Sequence, residues 1–221
     1  MLSQFLKDRK ELAKSLVNEL SKDYAYVSIF GRHAKGKQYA VSSKQVRAGD
    51  SLSLTASDAG FVIKVFNDSH YSEYSCDDIK DLTAEDVKKA IALSLKSDYV
   101  NVDILKDEPL VKSFCREDEE LLSEEEILSY LRKYKDQAMA YDGRIVEAQM
   151  VFTKREISNI FISQHRDLEQ YYTYNNGIVM IVANENGKIQ SSYDVSYGVN
   201  SKSVIEDLGD KIAFNAKLAV D

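Results

Sequence analysis

The sequence is poor in residues that break a chain or staple it. Its 221 residues include one proline, nine glycines, two cysteines and no tryptophan. Scarce proline and glycine argue against long linkers and disordered tracts. The two cysteines, Cys76 and Cys115, lie outside any Cys-x-x-Cys spacing, which excludes a disulfide framework and predicts reduced thiols in a reducing compartment. A chain of this length needs no staples, because it buries roughly 70% of the surface that its unfolded form exposes.

Two further absences concern partners. The net charge is −7, whereas nucleic-acid-binding proteins usually have a basic surplus that displaces counterions from phosphates. Nucleic acid is therefore disfavoured as a partner. It is not excluded, because Arg32, Lys35 and Lys37 could form a local basic patch.

Charges interrupt the first twenty residues, so they do not resemble a signal peptide. No uncharged apolar run reaches the roughly 18 residues that a membrane span requires. We predict a cytoplasmic protein that makes no membrane contact.

The spacing of apolar residues predicts an α+β fold, with two antiparallel β-meander blocks packed with about four amphipathic helices. The helices are expected over residues 2–20, from Thr83, from Ser123 and from Ser201. Short turns between strands favour antiparallel pairing, because parallel pairing needs a longer crossover. The predicted strands are Tyr24–Phe30, Gln38–Val46, Ser51–Ala56, Gly60–Asn67 and His70–Tyr74 in the first block, and Arg144–Thr153, Ser158–Ser163, Leu168–Tyr174, Gly177–Ala183 and Lys188–Tyr197 in the second.

Three local signals are sharper than the rest. Thr83 precedes Asp86 by three residues, and Ser123 precedes Glu126 by the same spacing, which predicts two reciprocal helix caps. Asn186-Gly187 predicts a tight hairpin turn with positive φ angles.

The pattern divides the chain into three consecutive parts of one domain. Residues 1–97 form a helix-meander-helix block, residues 98–122 an acidic connection with a short apolar stretch at Val100–Leu105, and residues 123–221 a second helix-meander-helix block. The last helical pattern runs to Asp221 without a glycine cap or a polar tail. Together with the family resemblance given below, this abrupt end leads us to expect a chain cut between two domains.

One segment imitates a phosphate-binding loop. Residues 31–38 fit G-x-x-x-x-G-K, but Gln38 stands where the loop needs a serine or threonine for magnesium. The residues after Gln38 continue as a strand, so no helix N-terminus would face a phosphate. The sequence favours an ordinary hairpin loop here.

No metal or nucleophile site can be assembled from the remaining candidates. His33, His70 and His165 lie far apart, and none begins a His-Glu-x-x-His motif. His165 with Asp167 and Glu169 is the one local cluster, and an exposed imidazole explains it more simply. We assign no catalytic, cofactor-binding or metal-binding residue.

Two other groups have simple structural interpretations. His70 is the histidine nearest Cys76, but six residues of spacing do not specify a catalytic pair, so a half-buried thiol is favoured. The run Tyr171–Tyr174 lacks the neighbouring basic residues that base stacking would use, and the strand preference of tyrosine explains it.

Several stretches together resemble the N-terminal domain of the TldD/PmbA family, whose members were once called modulators of DNA gyrase. They are the strand pair Tyr24–Phe30 and Gln38–Val46, the strand Gly60–Phe66, the segment from Tyr74 to the helix at Thr83, and Asp142–Ile145 with Asn159–Ser163. The resemblance spans nearly the whole chain.

The resemblance implies a function for a larger protein. In that family a zinc-binding H-E-x-x-x-H helix lies in a C-terminal domain, and this chain contains no such motif. Zinc is thus expected in a missing C-terminal domain, with no cofactor in this chain. The family implies a homologous subunit, in a homodimer or heterodimer, and an unfolded peptide substrate. Two alternatives remain: the same domain from the family's non-catalytic partner subunit, or a free-standing binding protein.

Overall fold

The computed structural model describes residues 1–50, 58–67, 70–92 and 103–221. It confirms the predicted α+β class, with helices beside an eight-stranded antiparallel sheet. In chain order the elements are α1 (Gln4–Leu20), β1 (Val27–Val41), β2 (Val46–Asp50), β3 (Ala59–Asn67), β4 (His70–Cys76), α2 (Ala84–Ala92), β5 (Leu110–Arg116), α3 (Glu124–Tyr141), β6 (Ile145–Ser163), β7 (Arg166–Glu185), β8 (Lys188–Gly198), α4 (Ser201–Asp210) and α5 (Ile212–Val220).

The sheet has the strand order β4-β3-β1-β6-β7-β5, with β2 also paired to β1 and β8 also paired to β7. The chain divides into two compact units. Unit 1 comprises residues 1–34, 57–115 and 157–171, and unit 2 comprises residues 35–56, 116–156 and 172–221. The units interleave along the chain, whereas the three parts expected from sequence are consecutive.

In unit 1, the apolar stripes of α1 and α2 pack on one face of the sheet. Leu6, Leu16 and Val17 of α1 are buried, as are Val87 and Ile91 of α2. Alternate residues of the strands meet them, because successive side chains of a strand point to opposite faces. The buried strand residues of this core are Val27, Ile29, Phe61, Ile63, Val65, Ile160 and Ile162.

In unit 2, α3, α4 and α5 provide the helical side of a second core. Ile127, Leu131 and Tyr134 of α3 are buried, and burial raises the pKa of the Tyr134 phenol to about 12. The strands contribute Tyr39, Val41, Ala148, Met150, Phe152, Val179, Ile181 and Ala183, and the last two helices contribute Val204, Ile205, Leu208, Ile212, Ala216 and Ala219. The predicted final helix is thus two helices, which meet at Lys211.

The local signals are confirmed where the structure describes them. Ser123 and Glu126 form a complete capping box. The Asp86 amide donates to Thr83 Oγ1 over 3.2 Å, and the Thr83 amide donates to Asp86 Oδ2 over 3.1 Å. Asn186 and Gly187 have φ angles of 52° and 84°. The predicted strand Ser51–Ala56 lies outside the described residues, as do positions 100–102 of the apolar stretch Val100–Leu105.

The predicted hairpin loop at residues 31–38 is wrong, because β1 runs unbroken from Val27 to Val41. Gly31, the first residue of this segment, serves packing. A Cβ atom at Gly31 would lie 2.6 Å from Phe61 Cε1 and 2.9 Å from Ile160 Cγ1, so the strand needs glycine to approach these side chains.

The predicted breaks in the second block are also wrong. β6 joins Arg144–Thr153 to Ser158–Ser163, and β7 joins Leu168–Tyr174 to Gly177–Ala183. Asn175 and Asn176 fall in the predicted break between these two strands. Instead Asn175 is fully buried and donates through Nδ2 to the Val199 carbonyl over 2.6 Å, while a Cβ at Gly177 would lie 3.1 Å from Leu208 Cδ2.

The acidic connection contains a strand that the sequence did not predict. β5 spans Leu110–Arg116, and all seven of its residues are exposed. Its exposure explains the error, because the segment lacks the buried face that produces a clear alternating pattern.

Candidate functional site

An apolar groove lies in unit 1 on the sheet face opposite α1 and α2. Its volume is about 370 Å³, which lies in the size range of ligand pockets. Phe30, Phe161 and Leu168 come from the central strands, and Leu110 and Phe114 come from β5. Three of these side chains keep much of their surface in solvent: Leu110 46%, Phe114 45% and Phe30 39%. Contiguous apolar surface of this kind marks a site of binding more often than chance exposure.

Polar groups at the groove are few. Asn159 Nδ2 donates to Gln170 Oε1 over 2.9 Å, which orients the two amides toward each other. Asn159 Oδ1 is buried and has no hydrogen-bond partner among the described residues. This oxygen retains an unused capacity to accept a hydrogen bond. Lys112 and Glu169 complete its polar lining.

Strand β5 forms one wall of the groove and one end of the strand order. Among the described residues it pairs with β7 alone, so its other edge offers backbone donors and acceptors. An extended peptide binds such an edge by adding a strand, and pockets beside the edge select its side chains. An apolar groove beside an open strand edge is therefore suited to an extended segment with a bulky apolar residue.

The cluster around His165 is held by ion pairs to α1. Lys10 Nζ lies 2.7 Å from Asp167 Oδ1 and 2.7 Å from Glu169 Oε1, and Lys14 Nζ lies 3.1 Å from Asp167 Oδ2. Burial raises the pKa of Asp167, but hydrogen bonds from the two lysines outweigh it and lower that pKa overall. Both carboxylates therefore pair with lysines of α1, while the His165 side chain is exposed.

The other candidates do not come together as a site. His33 lies with its ring 5.2 Å from that of Phe5, and His70 begins β4. Cys76 is half-buried and Cys115 is exposed, and burial raises the pKa of the Cys76 thiol. Within the described part of the chain, no three histidine, cysteine, aspartate or glutamate residues are grouped to hold a metal ion. The chain's described residues therefore do not fit zinc, and the expectation that it carries no cofactor stays a prediction.

The phosphate-loop and tyrosine candidates both lie in strands. Residues 31–38 belong to β1, which is not followed by a helix, so no helix N-terminus faces this segment. The run Tyr171–Tyr174 lies within β7, where Tyr174 stacks on Tyr197 with ring centroids 6.1 Å apart.

Sequence reasoning missed the groove because it missed β5. A weak signal was present: Leu110, Val111, Phe114 and Cys115 follow directly after Pro109, the one proline of the chain. A short run that contains valine and phenylalanine and is bounded by proline is compatible with a strand, although its apolar residues do not alternate with polar ones. The acidic residues on both sides obscured it.

No protein-family profile and no curated protein sequence matches the chain. Solved structures do match it. A provisionally assigned modulator of a DNA gyrase from Thermotoga maritima superposes with a TM-score of 0.69 at 16% identity, covering 94% of this chain and 47% of that one. A protein with the same provisional assignment from Bacteroides thetaiotaomicron gives 0.73 at 15% identity, covering 98% and 50%. TldE from Thermococcus kodakarensis gives 0.58 at 13% identity, covering 90% and 46%.

The chain has the fold of these proteins. It spans about half the length of each of them. At these identities the likeness concerns the fold alone, which is the fold that the TldD/PmbA resemblance predicts. None of the helices in the described ranges is long and apolar enough to cross a membrane.

Proposed function

We propose that this chain is the non-catalytic N-terminal domain of a TldD/PmbA-like zinc metallopeptidase. In this role it helps to form a dimer with a homologous subunit and to wall the cleft that receives an unfolded peptide, in the cytoplasm. The observation that carries the proposal is the fold agreement, which covers at least 90% of this chain and about half of each longer chain. Zinc and the catalytic groups belong to the other half.

The unit 1 groove supports the peptide-binding part of this role. Backbone hydrogen bonds to a strand edge do not depend on side-chain identity, so they suit a substrate that is recognised as unfolded polypeptide. Phe30, Phe161 and Phe114 would then take one apolar side chain of the peptide, and Asn159 Oδ1 would accept one of its N–H groups.

Reading the gene beyond the codon for Asp221 tests the domain assignment. An H-E-x-x-x-H motif within the next couple of hundred residues identifies a peptidase. Downstream sequence without that motif identifies the family's non-catalytic partner subunit. A reading frame that stops at Asp221 refutes the proposal and leaves a free-standing binding protein, for which a natural product of 25.0 kDa by intact-mass analysis is the expected signature.

Two measurements on the 221-residue chain test its non-catalytic character. We expect less than one tightly bound zinc per ten chains by elemental analysis after dialysis, and no cleavage of an unfolded test peptide. One zinc per chain, or peptide hydrolysis that tracks the purified protein, would contradict the assignment.

Fluorescence anisotropy tests the groove directly. The probe is a labelled, unstructured eight-residue peptide with one central leucine, and its N-methylated counterpart lacks the donors for strand pairing. We expect the Phe114→Ser variant and N-methylation each to weaken binding at least tenfold. Leu121→Ser is the matched control, because Leu121 is an exposed apolar residue outside the groove. Equal affinities for wild-type and Phe114→Ser proteins would remove the groove from the proposal.

A further inference from the structure

The last helix, α5, is apolar on two sides. Ile212, Ala216 and Ala219 are buried against unit 2. On the other side Phe214 and Leu218 keep 60% and 49% of their surface in solvent. These two residues are four apart, so they lie next to each other on one helix face. We call Phe214 and Leu218 the α5 outer face.

Little charge accompanies this face. Lys217 is the one charged residue within α5, and its ammonium pairs with the carboxylate of Asp221 one turn later. By contrast, α4 presents Lys202, Glu206 and Asp210 to solvent. A helix that is hydrophobic all round is ordinarily buried on all sides, so the α5 outer face has the composition of an interface.

One more exposed aromatic residue lies in the same unit. Tyr141, at the end of α3, keeps 47% of its surface in solvent. The hydrogen bond to Asp221 raises the pKa of Lys217, the charge of Asp221 adds to it, and the Tyr141 phenol contributes further. The Tyr141 phenol therefore acts on Lys217 electrostatically, and Tyr141 is a further exposed aromatic side chain of unit 2.

The end of α5 is also fixed in place. Arg144 Nη1 donates to the Val220 carbonyl over 3.1 Å, and Nη2 of the same side chain lies 2.9 Å from Asp142 Oδ2. Inside unit 2, Asn215 Nδ2 donates to the Lys211 carbonyl over 2.9 Å, and Asn215 Oδ1 accepts from Ser192 Oγ over 2.5 Å. A helix held at its C-terminal end and near its middle presents a preorganised surface, which lowers the entropic cost of docking.

We infer that the α5 outer face is the docking surface for the second half of the complete polypeptide. The inference rests on the proposed function, in which a further domain follows this one. The structurally similar chains are about twice as long as this chain. Polypeptide that continues beyond Asp221 begins at the end of α5, so it meets this face at the high effective concentration of a tethered partner. A second copy of the chain has no such tether.

Hydroxyl-radical footprinting with mass spectrometry tests this inference. The reactivity of Phe214 is compared between the 221-residue chain and the full-length protein expressed from the gene. We expect at least fivefold protection of Phe214 and Leu218 in the longer protein. Leu121, an exposed apolar residue of the same unit, is the internal control and keeps its reactivity. Unchanged Phe214 reactivity, or equal protection of Leu121, overturns the inference.

A double variant, Phe214→Ser with Leu218→Ser, provides a second readout. In the full-length protein we expect cleavage by a low concentration of protease near residue 221 to become at least fivefold faster. Ile189→Ser, which changes another exposed apolar residue of unit 2, leaves that rate unchanged. In sedimentation, concentration-dependent dimers of the 221-residue chain that the double variant abolishes would assign the face to a second copy and overturn the tethered docking.

The outcomes separate this inference from the function on which it rests. Downstream sequence with Phe214 unprotected refutes the docking surface and leaves the domain assignment intact. A reading frame that stops at Asp221 refutes both.

Discussion

Gly31→Ala should destabilise the protein, although alanine normally favours a strand over glycine. The new Cβ would lie 2.6 Å from Phe61 Cε1 and 2.9 Å from Ile160 Cγ1, whereas ordinary van der Waals contact begins near 3.4 Å. Phe61 is 2% exposed and its ring lies 5.8 Å from that of Phe5. The phenyl ring therefore has no open space into which it can retreat.

The magnitude follows from two opposing effects. Overpacking a core costs about 1–3 kcal/mol, while replacing glycine where its conformation is compatible gains about 0.4–1 kcal/mol through the unfolded state. With values from the middle of each range, the net expectation is a loss of about 1–2 kcal/mol in the free energy of unfolding. For a chain of this size that corresponds to a melting temperature about 2–8 °C lower.

Thermal and urea unfolding followed by circular dichroism measure the effect. Gly49→Ala is the matched control, because Gly49 also lies in a strand and no atom lies within 4 Å of its added Cβ. We expect that control to be neutral or slightly stabilising. Shortening the opposing ring in the double variant Gly31→Ala/Phe61→Leu should make the combined loss smaller than the sum of the single losses. A Gly31→Ala protein as stable as Gly49→Ala would refute the packing role of Gly31.

Three other predictions follow from the hydrogen bonds. Asp118→Ala should cost about 1 kcal/mol by urea unfolding, because Asp118 Oδ2 accepts from the Ser201 amide over 3.0 Å and so caps α4 from outside the helix; an unchanged midpoint contradicts this. Ser192→Ala should cost about 1–3 kcal/mol, because it leaves Asn215 Oδ1 without this donor in a buried position; Ser191→Ala, an exposed neighbour, should cost nothing measurable. Asp167→Asn should make the protein less stable than wild type near pH 6, and this difference should decline as the pH falls below about 4. The reason is that the pKa of Asp167 in the folded state is lower than its ordinary value near 3.9. A difference that does not change with pH would contradict the ion pairs with Lys10 and Lys14.

The sequence was sufficient where structure is decided locally. The Thr83–Asp86 and Ser123–Glu126 caps, and the Asn186-Gly187 turn, each depend on residues within four positions of one another. The buried stripes of the helices followed from spacing for the same reason. Capping and turn chemistry are local, so they can be read before any tertiary contact is known.

The errors arose where a distant residue decides the role of a local one. Gly31 begins the predicted loop and Gly177 follows the predicted break in β7, but each makes room for a side chain from another element, Phe61 and Leu208 respectively. Asn175 lies in the predicted break, but its amide satisfies a carbonyl 24 positions away. These partners are not adjacent in sequence, so propensity alone predicted short strands where long ones form.

The groove could not be predicted from the sequence because its wall is an exposed strand. Residues of β5 are all exposed, so they carry no amphipathic pattern tied to a core. Leu110 and Phe114 form part of a groove only because β7 places Leu168 next to them. The fold class was therefore within reach of sequence reasoning, while the groove required strand order.

The two cysteines have different surroundings, so their thiols should differ in reactivity. The Cys76 thiol is half-buried and its pKa is raised, so it should react slowly with maleimides, while Cys115 is exposed on β5. A single dye can therefore be attached at Cys115 without mutagenesis. Cys115 follows Phe114, and neighbouring strand residues point to opposite faces. Such a dye would report a peptide that pairs along the edge of β5, and would be insensitive to a small molecule that only fills the groove.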